Sequence, residues 1–286
     1  MTQRTLEGRI AVVTGATSGI GRATALALAR MGAHVVIVSR SPQKCAETAA
    51  QIVQAGGSAT PIAADLSSQR GVRSVAEQIR ARFPRVDVLV NNAGAIFGER
   101  RLSEDGIEMT WALNHLSYFL LTHLLLDALK AAPTARIVNV SSDAHFAVRR
   151  IPFDDLNFER QPYRAFSAYS LSKLANVMFT YALARRLEGT HITVNALHPG
   201  AVATNFGREL GGWWGWVFRV LVSRFALSPE QGAQTSIYLA SAPEVAQQSG
   251  LYFDRCKPKR SSPLSYNRDA QERLWAISAE QVQLAG

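Results

Sequence analysis

The chain has 286 residues, 47% hydrophobic and 19% charged, a composition that excludes a disordered protein and is ample for one large domain. Its formal net charge is +9, but the basic residues are scattered and accompany no nucleic-acid-binding motif, so we expect no nucleic-acid partner. Cys45 and Cys256 are too few for a disulfide framework and lack metal-ligand spacing, which predicts a cytoplasmic protein without a metal site. Neither a signal peptide nor a run of ~20 apolar residues that would span a membrane is evident.

Short β-rich runs alternate with helical patterns along the first two thirds of the chain. The predicted strands cover residues 10–14, 34–39, 59–64, 86–90, 136–140 and 191–196. The predicted helices cover residues 20–31, 42–55, 67–83, about 107–130 and 168–187. This alternation predicts βαβ units, and the continuous Val and Ile content predicts strands buried on both faces. We therefore predict an α/β fold with a doubly wound parallel sheet, a Rossmann fold.

No low-complexity linker divides the chain, so residues 1–286 are predicted to form one domain. Within it, about 8–200 would hold the cofactor and the catalytic residues. Residues from about 201 to 227 would form a helical substrate lid. Residues 228–286 would supply a closing helix, a strand and a C-terminal tail, whose basic cluster at 255–260 is most simply a solvated surface.

A glycine-rich segment follows the first predicted strand and opens the first helix, with the sequence Thr14-Gly15-Ala16-Thr17-Ser18-Gly19-Ile20-Gly21. Glycines allow the backbone to approach a pyrophosphate, and a helix N-terminus presents free N–H groups to it. The spacing G-x-x-x-G-x-G alone is a weak signal, because glycine-rich turns also serve tight packing. Its strand–loop–helix context favours a dinucleotide-binding site.

The end of the second predicted strand indicates which dinucleotide is bound. A site for NAD usually has an Asp or Glu there, which bonds the ribose 2′-hydroxyl. Here the residues are Ser39 and Arg40, and a guanidinium can form a bidentate pair with a 2′-phosphate. Ser18 would add a hydroxyl to the same phosphate. We predict NADP(H) as the cofactor; the alternative is that Arg40 is an ordinary surface residue.

Three further segments, together with the glycine loop, resemble the short-chain dehydrogenase/reductase superfamily. They are Asn91-Asn92-Ala93-Gly94, Ser141-Ser142 and Tyr169-Ser170-Leu171-Ser172-Lys173. Residues 104–106, 113–115, 153–157, 172–176 and 197–200 are similar to its retinol-dehydrogenase-like branch. The resemblance implies an oxidoreductase that transfers a hydride between a nicotinamide and a carbonyl or carbinol carbon. It also implies a homodimer or homotetramer associated through the helices near 107–130 and 168–187.

The resemblance implies a role for each matching residue. Asn114 would anchor a proton-relay water and Ser142 would hold the substrate oxygen. Tyr169 would be the acid/base, while Lys173 would bind the nicotinamide ribose and adjust the pKa of Tyr169. The remaining implied cofactor contacts are Asp65, Leu66, Asn92, Ala93, Gly94, Pro199, Gly200, Val202 and Thr204.

The chemistry explains why this residue pair is suited to proton transfer. A free tyrosine has a pKa of about 10, too high for an efficient base near neutrality. Tyr169 and Lys173 are four residues apart and share a helix face. At ~4 Å and an effective dielectric of ~20, an ammonium would favour the phenolate by about 4 kcal/mol, or roughly three pKa units before desolvation. We therefore expect Lys173 to lower the pKa of Tyr169.

Each site residue also has an ordinary structural interpretation, and only the joint pattern favours catalysis. A serine hydrolase would need a Ser/His/acid set and usually a G-x-S-x-G elbow, and neither is apparent. His115, His145 and His198 are interpreted as structural or pocket-lining residues. Alternatives to the enzyme are a non-catalytic NADP(H)-binding sensor and a membrane-surface scaffold on the same fold.

The segment 211–218, Gly-Gly-Trp-Trp-Gly-Trp-Val-Phe, predicts a lipophilic substrate. Aromatic side chains suit an apolar ligand, and Phe97, Phe146 and Phe206 would contribute to the pocket. A retinoid-like alcohol or aldehyde follows from the resemblance only, and other ketones and aldehydes remain open. With Arg219 and Arg224 the same segment would suit a peripheral membrane contact, and a lid helix packed on the body is the plain alternative.

Overall fold

The computed structural model describes residues 5–200 and 227–284. The predicted contacts at Val202, Thr204 and Phe206, and the aromatic segment 211–218 of the predicted lid, lie outside the described residues. Within the described part, no helix is both long enough and apolar enough to cross a membrane.

In the part of the chain that the structure describes, eight strands form a single sheet. They are β1 Ile10–Thr14, β2 His34–Ser39, β3 Ser58–Ala63, β4 Val88–Asn91, β5 Ala135–Val140, β6 Ile192–His198, β7 Leu251–Asp254 and β8 Lys257–Pro258. The order is β3-β2-β1-β4-β5-β6-β7-β8, parallel throughout except for the antiparallel hairpin of β7 and β8. The predicted doubly wound α/β fold is confirmed. Strand order reverses between β1 and β4, and ligands of such sheets bind outside the carboxyl ends of the strands at that point.

Helices flank both faces of the sheet. They are α1 Gly19–Arg30, α2 Pro42–Gln54, α3 Gln69–Arg82, α4 Met109–Trp111, α5 Ser117–Leu124, α6 Leu126–Lys130, α7 Ala165–Arg186, α8 Pro229–Ser241 and α9 Arg268–Gln281. Serine side chains cap the N-termini of α2, α3 and α8, where they accept main-chain N–H groups of the first turn. The C-terminal tail that the sequence predicts is largely the helix α9, which follows β8.

The continuous helix predicted for about 107–130 is wrong in detail. A π-helical turn at Ala112–Leu116 separates α4 from α5, and a break at Leu125 separates α5 from α6. Hydrogen bonds of Asn114 hold the π turn. Its side-chain amide bonds to the main chain of Ala95, and its main-chain carbonyl oxygen accepts from the Asn176 side chain. Turns of this kind frequently mark functional sites.

Among the described residues, the core consists of two large apolar clusters, one on each face of the sheet, and a small third one of Val177, Tyr181, Ala196 and Tyr252. Alternate residues of β1 point to opposite faces, so Val12 packs with α3, α5 and α7, whereas Val13 packs with α1 and α2. The helix α7 is buried along nearly its whole length, from Ala168 to Leu183. Its side chains are therefore held rigidly with respect to the sheet.

The C-terminal helix α9 packs against α5 and α7. The Trp275 ring lies 5.0 Å from the ring of Phe119 and 5.8 Å from that of Phe179, centroid to centroid. The indole of Trp111 donates to Gln281 Oε1 at 2.9 Å. Association of subunits through α5 and α7 stays a prediction, and an interface there would have to form beside α9 or displace it.

A buried carboxylate joins the amino ends of the central strands. Asp87 is 2% exposed and accepts the main-chain N–H of Ile10 at 2.9 Å. The same carboxylate pairs with Arg9 at 2.8 Å and with Arg85 at 3.3 Å. Removal of the carboxylate leaves the Ile10 N–H without this acceptor and breaks both ion pairs, although Arg9 and Arg85 keep bonds to Thr134 and Gly8.

We expect Asp87→Ala to lower the free energy of unfolding by about 3 kcal/mol, because breaking a buried, hydrogen-bonded ion pair is costly. Chemical denaturation monitored by circular dichroism measures this. Glu104→Ala is the matched control, since Glu104 pairs with Arg70 at an exposed position and should contribute less than about 1 kcal/mol. Equal losses of unfolding free energy in Asp87→Ala and Glu104→Ala would contradict the stabilising role of the buried Asp87 carboxylate.

Candidate active site

The glycine loop and the Asn92–Gly94 segment meet where β1 and β4 end. Gly15 has a φ of +66°, and a Cβ on it would lie 2.9 Å from Asn92 Nδ2. The Thr14 hydroxyl oxygen accepts the main-chain N–H groups of Asn92 and Ala93, both at 2.9 Å. Two segments that the sequence assigned to the cofactor thus lie side by side at the switch point of the sheet.

Of the residues that the structure describes, no side chain caps the first turn of α1. Ser18 is its N-cap residue, but the side chain makes no capping hydrogen bond. The loop is tied to the end of β2 by a 2.8 Å hydrogen bond between the hydroxyls of Thr17 and Ser39. Arg40 follows directly and is exposed. Uncapped N–H groups beside hydroxyls and a guanidinium have the donor chemistry that a phosphate requires.

The predicted adenine contacts lie at the carboxyl end of β3. The Asp65 carboxylate accepts the N–H and the hydroxyl of Ser67, at 2.9 and 2.7 Å. Leu66 is buried and belongs to the core cluster on the α3 face. Asp65 is therefore available to a ligand at the carboxyl edge of the sheet. Most of the Leu66 side chain contributes to packing.

Asn114 holds the main chain beside the predicted nicotinamide position. It is fully buried, and its amide bonds to both the N–H and the carbonyl of Ala95 at 2.9 Å. The amide also donates to Ser172 Oγ at 3.1 Å. A Cβ on Gly94 would lie 3.1 Å from Asn114 Oδ1. The close approach explains why glycine occupies this position; the proposed water contact of Asn114 stays a prediction.

Ser142 lies two residues after β5 and caps a 3₁₀ turn at Asp143–Ala147. Its hydroxyl oxygen accepts the N–H of Ala144 at 3.2 Å, which leaves the hydroxyl hydrogen free to be donated. The hydroxyl forms a hydrogen bond with the phenol of Tyr169. The structure therefore brings together the serine and the tyrosine that the sequence predicted.

Tyr169 and Lys173 lie on one face of α7 and are 8% and 3% exposed. Burial raises the pKa of Tyr169 well above its ordinary value, and the hydrogen bond from Ser142 opposes the shift. Burial lowers the pKa of Lys173 to about 7. Each group is thus driven toward its neutral form. The expectation that Lys173 lowers the pKa of Tyr169 is not met, because desolvation dominates both pKa values in the protein alone.

The Lys173 ammonium group has defined partners. Its Nζ donates to the carbonyl of Val140 at 2.9 Å. The same nitrogen lies 5.6 Å from the ring centroid of Tyr169 and 5.7 Å from that of Tyr118. Tyr118 lies on α5, and the sequence gives little sign of its role. Its spacing of four residues from Asn114 is the signal that would place both side chains on one helix face. Two N–H donors of Lys173 remain for other ligands.

The predicted nicotinamide contacts Pro199 and Gly200 follow β6, at the same edge of the sheet. Gly200 has a φ of +85°, in the region that favours glycine. Among the predicted pocket aromatics, Phe97 is almost buried and Phe146 is 43% exposed. Phe146 lies four residues after Ser142, in the 3₁₀ turn that Ser142 caps.

The 3₁₀ turn after Ser142 is held by the C-terminal part of the chain, which sequence reasoning missed. Asp143 accepts from the Tyr252 hydroxyl at 2.9 Å and from Lys259 at 3.0 Å. Lys259 belongs to the basic cluster interpreted above as a solvated surface, but it is paired with two carboxylates, Asp143 and Asp254. The contacts of Asp143 with Tyr252 and Lys259 span more than a hundred residues, so no local pattern signals them. No group of three or more His, Cys, Asp or Glu suited to a metal occurs among residues 5–200 and 227–284.

The sheet, the glycine loop and the Ser–Tyr–Lys cluster together define the class of the protein. The family model for short chain dehydrogenase matches residues 9–152 and 157–213. The chain therefore belongs to the short-chain dehydrogenase family.

Within the family, the chain is similar to retinol dehydrogenase 13 of Homo sapiens, with 44% identity over 98% of this chain and 86% of that protein. The resemblance to the retinol-dehydrogenase-like branch is thereby confirmed. Among solved structures it is similar to an uncharacterized protein from Mycobacterium paratuberculosis, with a TM-score of 0.80, 32% identity and coverage of 97% and 94% of the two chains. It is also similar to the Pseudomonas aeruginosa RhlG/NADP active-site complex, with a TM-score of 0.70, 31% identity and coverage of 88% and 96%.

Proposed function

We propose that the chain is an NADP(H)-dependent oxidoreductase that reduces a lipophilic aldehyde or ketone and oxidises the corresponding alcohol. Family membership makes it an alcohol/carbonyl oxidoreductase. The observation that carries the proposal is the cluster of the half-buried Ser142 with the buried Tyr169 and Lys173 at the carboxyl edge of the sheet. A hydroxyl, a phenol and an amine in one cluster are suited to binding and protonating a carbonyl oxygen.

The described residues fit a dinucleotide. The first turn of α1 lacks a side-chain cap, and Lys173 has two N–H donors not used by Val140. The main chain of residues 92–94 runs beside the glycine loop and Lys173. When bound, the nicotinamide supplies or accepts the hydride.

The protein's own groups handle the proton. Burial keeps Tyr169 protonated, which is the form that donates from Oη to a carbonyl oxygen as negative charge develops there. The Ser142 hydroxyl, which donates to the Tyr169 phenol in the protein alone, would turn its hydrogen to the same carbonyl oxygen when substrate binds. The raised pKa of Tyr169 keeps the phenol in the protonated form that reduction uses, and Lys173, whose pKa burial lowers to about 7, supplies positive charge next to the phenol when it is protonated. Alcohol oxidation runs these steps in reverse, with Tyr169 Oη accepting the proton.

Arg40 and Ser39 support NADP(H) over NAD(H). No carboxylate occupies the end of β2, and Arg40 is exposed beside the glycine loop. A guanidinium favours a 2′-phosphate, whereas an acidic residue would repel it. The structural likeness to the RhlG/NADP complex adds support to this choice.

We expect Arg40→Asp to lower kcat/KM for NADPH by about ten-fold or more, because a charge-assisted pair with the phosphate is replaced by repulsion. The value for NADH should change by less than about three-fold. Arg30→Asp is the charge-matched control, at the exposed far end of α1, and should leave both values unchanged. Equal losses with NADPH and NADH would contradict the 2′-phosphate assignment.

The lipophilic substrate rests on the similarity to a retinol dehydrogenase and on the exposed Phe146 near Ser142. The direct test mixes the purified chain with NADPH and a panel of retinaldehyde, long-chain aldehydes, steroid ketones and short polar carbonyls, and follows loss of nicotinamide absorbance. We expect turnover with the apolar members at a kcat/KM well above that for the polar ones. Tight binding of NADPH without turnover on any member would instead support a non-catalytic sensor.

A further inference from the structure

His145 has a bonding pattern that its interpretation as a structural or pocket-lining residue does not explain. It lies in the 3₁₀ turn that follows Ser142 and is fully buried. Its Nδ1 lies 2.6 Å from the carbonyl oxygen of Ser142, and its Nε2 accepts the N–H of Ser262 at 3.0 Å. The imidazole therefore bridges the main chain of the predicted catalytic serine to a loop 117 residues further on.

Both partners are main-chain groups, and they determine the protonation state of the ring. A carbonyl oxygen only accepts, so Nδ1 must carry a hydrogen. An amide N–H only donates, so Nε2 must be unprotonated. The neutral tautomer protonated at Nδ1 alone satisfies both bonds, and burial lowers the pKa of His145, which favours the neutral ring.

We propose that His145 is a positioning residue for the catalytic serine, an inference that rests on the proposed function. Its Nδ1–H holds the Ser142 carbonyl and thereby the orientation of the Ser142 main chain from which the hydroxyl projects. The Ser142 hydroxyl must point to Tyr169 while its oxygen accepts from Ala144. Small rotations of the Ser142 backbone would move the hydroxyl away from the substrate oxygen, and a displacement of about 1 Å can cost roughly 10²-fold in rate.

The ring itself has a rigid support. The His145 centroid lies 4.9 Å from that of Tyr252 in an edge-to-face arrangement, and Tyr252 donates to the carboxylate of Asp143. Lys259 pairs with the same carboxylate. The segment from β7 to Ser262 thus anchors the turn at two successive points, Asp143 and His145, on either side of Ala144.

Two substitutions separate the two bonds of His145. In His145→Asn the side-chain amide nitrogen occupies the position of Nδ1 and keeps the donor to Ser142. In His145→Gln the amide oxygen reaches the position of Nε2 and keeps the acceptor for Ser262, but the donor to Ser142 is lost. We expect His145→Gln to lower kcat by about ten-fold or more, with the KM for substrate and the Kd for NADPH within about two-fold of wild type. His145→Asn should keep kcat within about three-fold of wild type.

Thermal melts of both variants show whether folding accounts for any loss. A purely structural histidine would give similar losses of melting temperature and of kcat in the two variants, and that result overturns the proposal. A wild-type kcat in His145→Gln overturns it as well.

If the wild type reduces no member of the panel, the proposed function fails, and ¹⁵N NMR of the His145 imidazole then tests its link to Ser142. A neutral ring protonated at Nδ1 supports the link. A ring protonated at Nε2, or charged at neutral pH, overturns it.

Discussion

Tyr169→Phe is expected to lower kcat for carbonyl reduction by about 10³-fold while leaving the Kd for NADPH within about two-fold. The phenol oxygen is the group placed to give the proton to the substrate oxygen, and general acid catalysis contributes typically about 10²–10⁴-fold. Phenylalanine keeps the ring that packs in α7 and against the Lys173 ammonium group. The cofactor site should therefore stay intact while the proton donor is lost.

Tyr181→Phe is the matched control for this substitution. Tyr181 lies on the same helix, is 7% exposed and bonds to the hydroxyl of Ser261 at 2.6 Å. Both phenols bond to a serine hydroxyl. The partner of Tyr169 is the site residue Ser142, whereas the partner of Tyr181 is Ser261. We expect a nearly unchanged kcat and a modest loss of stability. Steady-state kinetics and calorimetric cofactor binding measure both variants, and a Tyr169→Phe protein with wild-type turnover would refute the acid/base role.

Lys173→Met is expected to lower kcat/KM by about 10²-fold or more, because the amine beside the phenol and its N–H donors facing the cofactor are both removed. It should also change the pH dependence of stability. Burial lowers the pKa of Lys173 to about 7 in the folded protein, well below its ordinary value. Above pH 7 the unfolded chain therefore binds a proton that the folded chain has released.

The sign of this linkage is definite. Where the unfolded state binds more protons, the free energy of unfolding rises with pH, here by up to about 1.4 kcal/mol per pH unit between pH 7 and the ordinary lysine pKa of about 10.4. Lys173→Met should lose that rise, and Lys130→Met, at an exposed lysine, should keep it. Urea denaturation from pH 7 to 9.5 measures the slopes. Parallel slopes for wild type and Lys173→Met would show that Lys173 stays charged on folding.

The fold could be predicted because its signals are local. Buried parallel strands give continuous apolar runs, and the predicted strands agree with β1 to β6 within two residues. The π turn at Ala112–Leu116 could not be predicted, because its apolar spacing resembles that of an ordinary helix. Its cause lies in hydrogen bonds of Asn114 to Ala95 and Asn176, which are remote along the chain.

The juxtaposition of Ser142, Tyr169 and Lys173 was also accessible from the sequence, but the electrostatics of these residues were not. Motif spacing predicted that Tyr169 and Lys173 share a face of one helix. It gave no measure of burial, and burial is what raises the pKa of Tyr169 and lowers that of Lys173. The support of Ser142 by His145 was likewise hidden, since its second partner, Ser262, is distant in sequence.

Transfer of deuterium from NADPH labelled at C4 of the nicotinamide is the most direct measurement of the proposed reaction. The labelled cofactor is mixed with retinaldehyde or the best apolar member of the panel, and the product is analysed by mass spectrometry. We predict one deuterium on the carbinol carbon with the wild type and with Tyr181→Phe, and at least about 10²-fold slower labelling with Tyr169→Phe. Labelling by Tyr169→Phe at the wild-type rate, or no labelling by a wild-type protein that binds NADPH, would contradict the account.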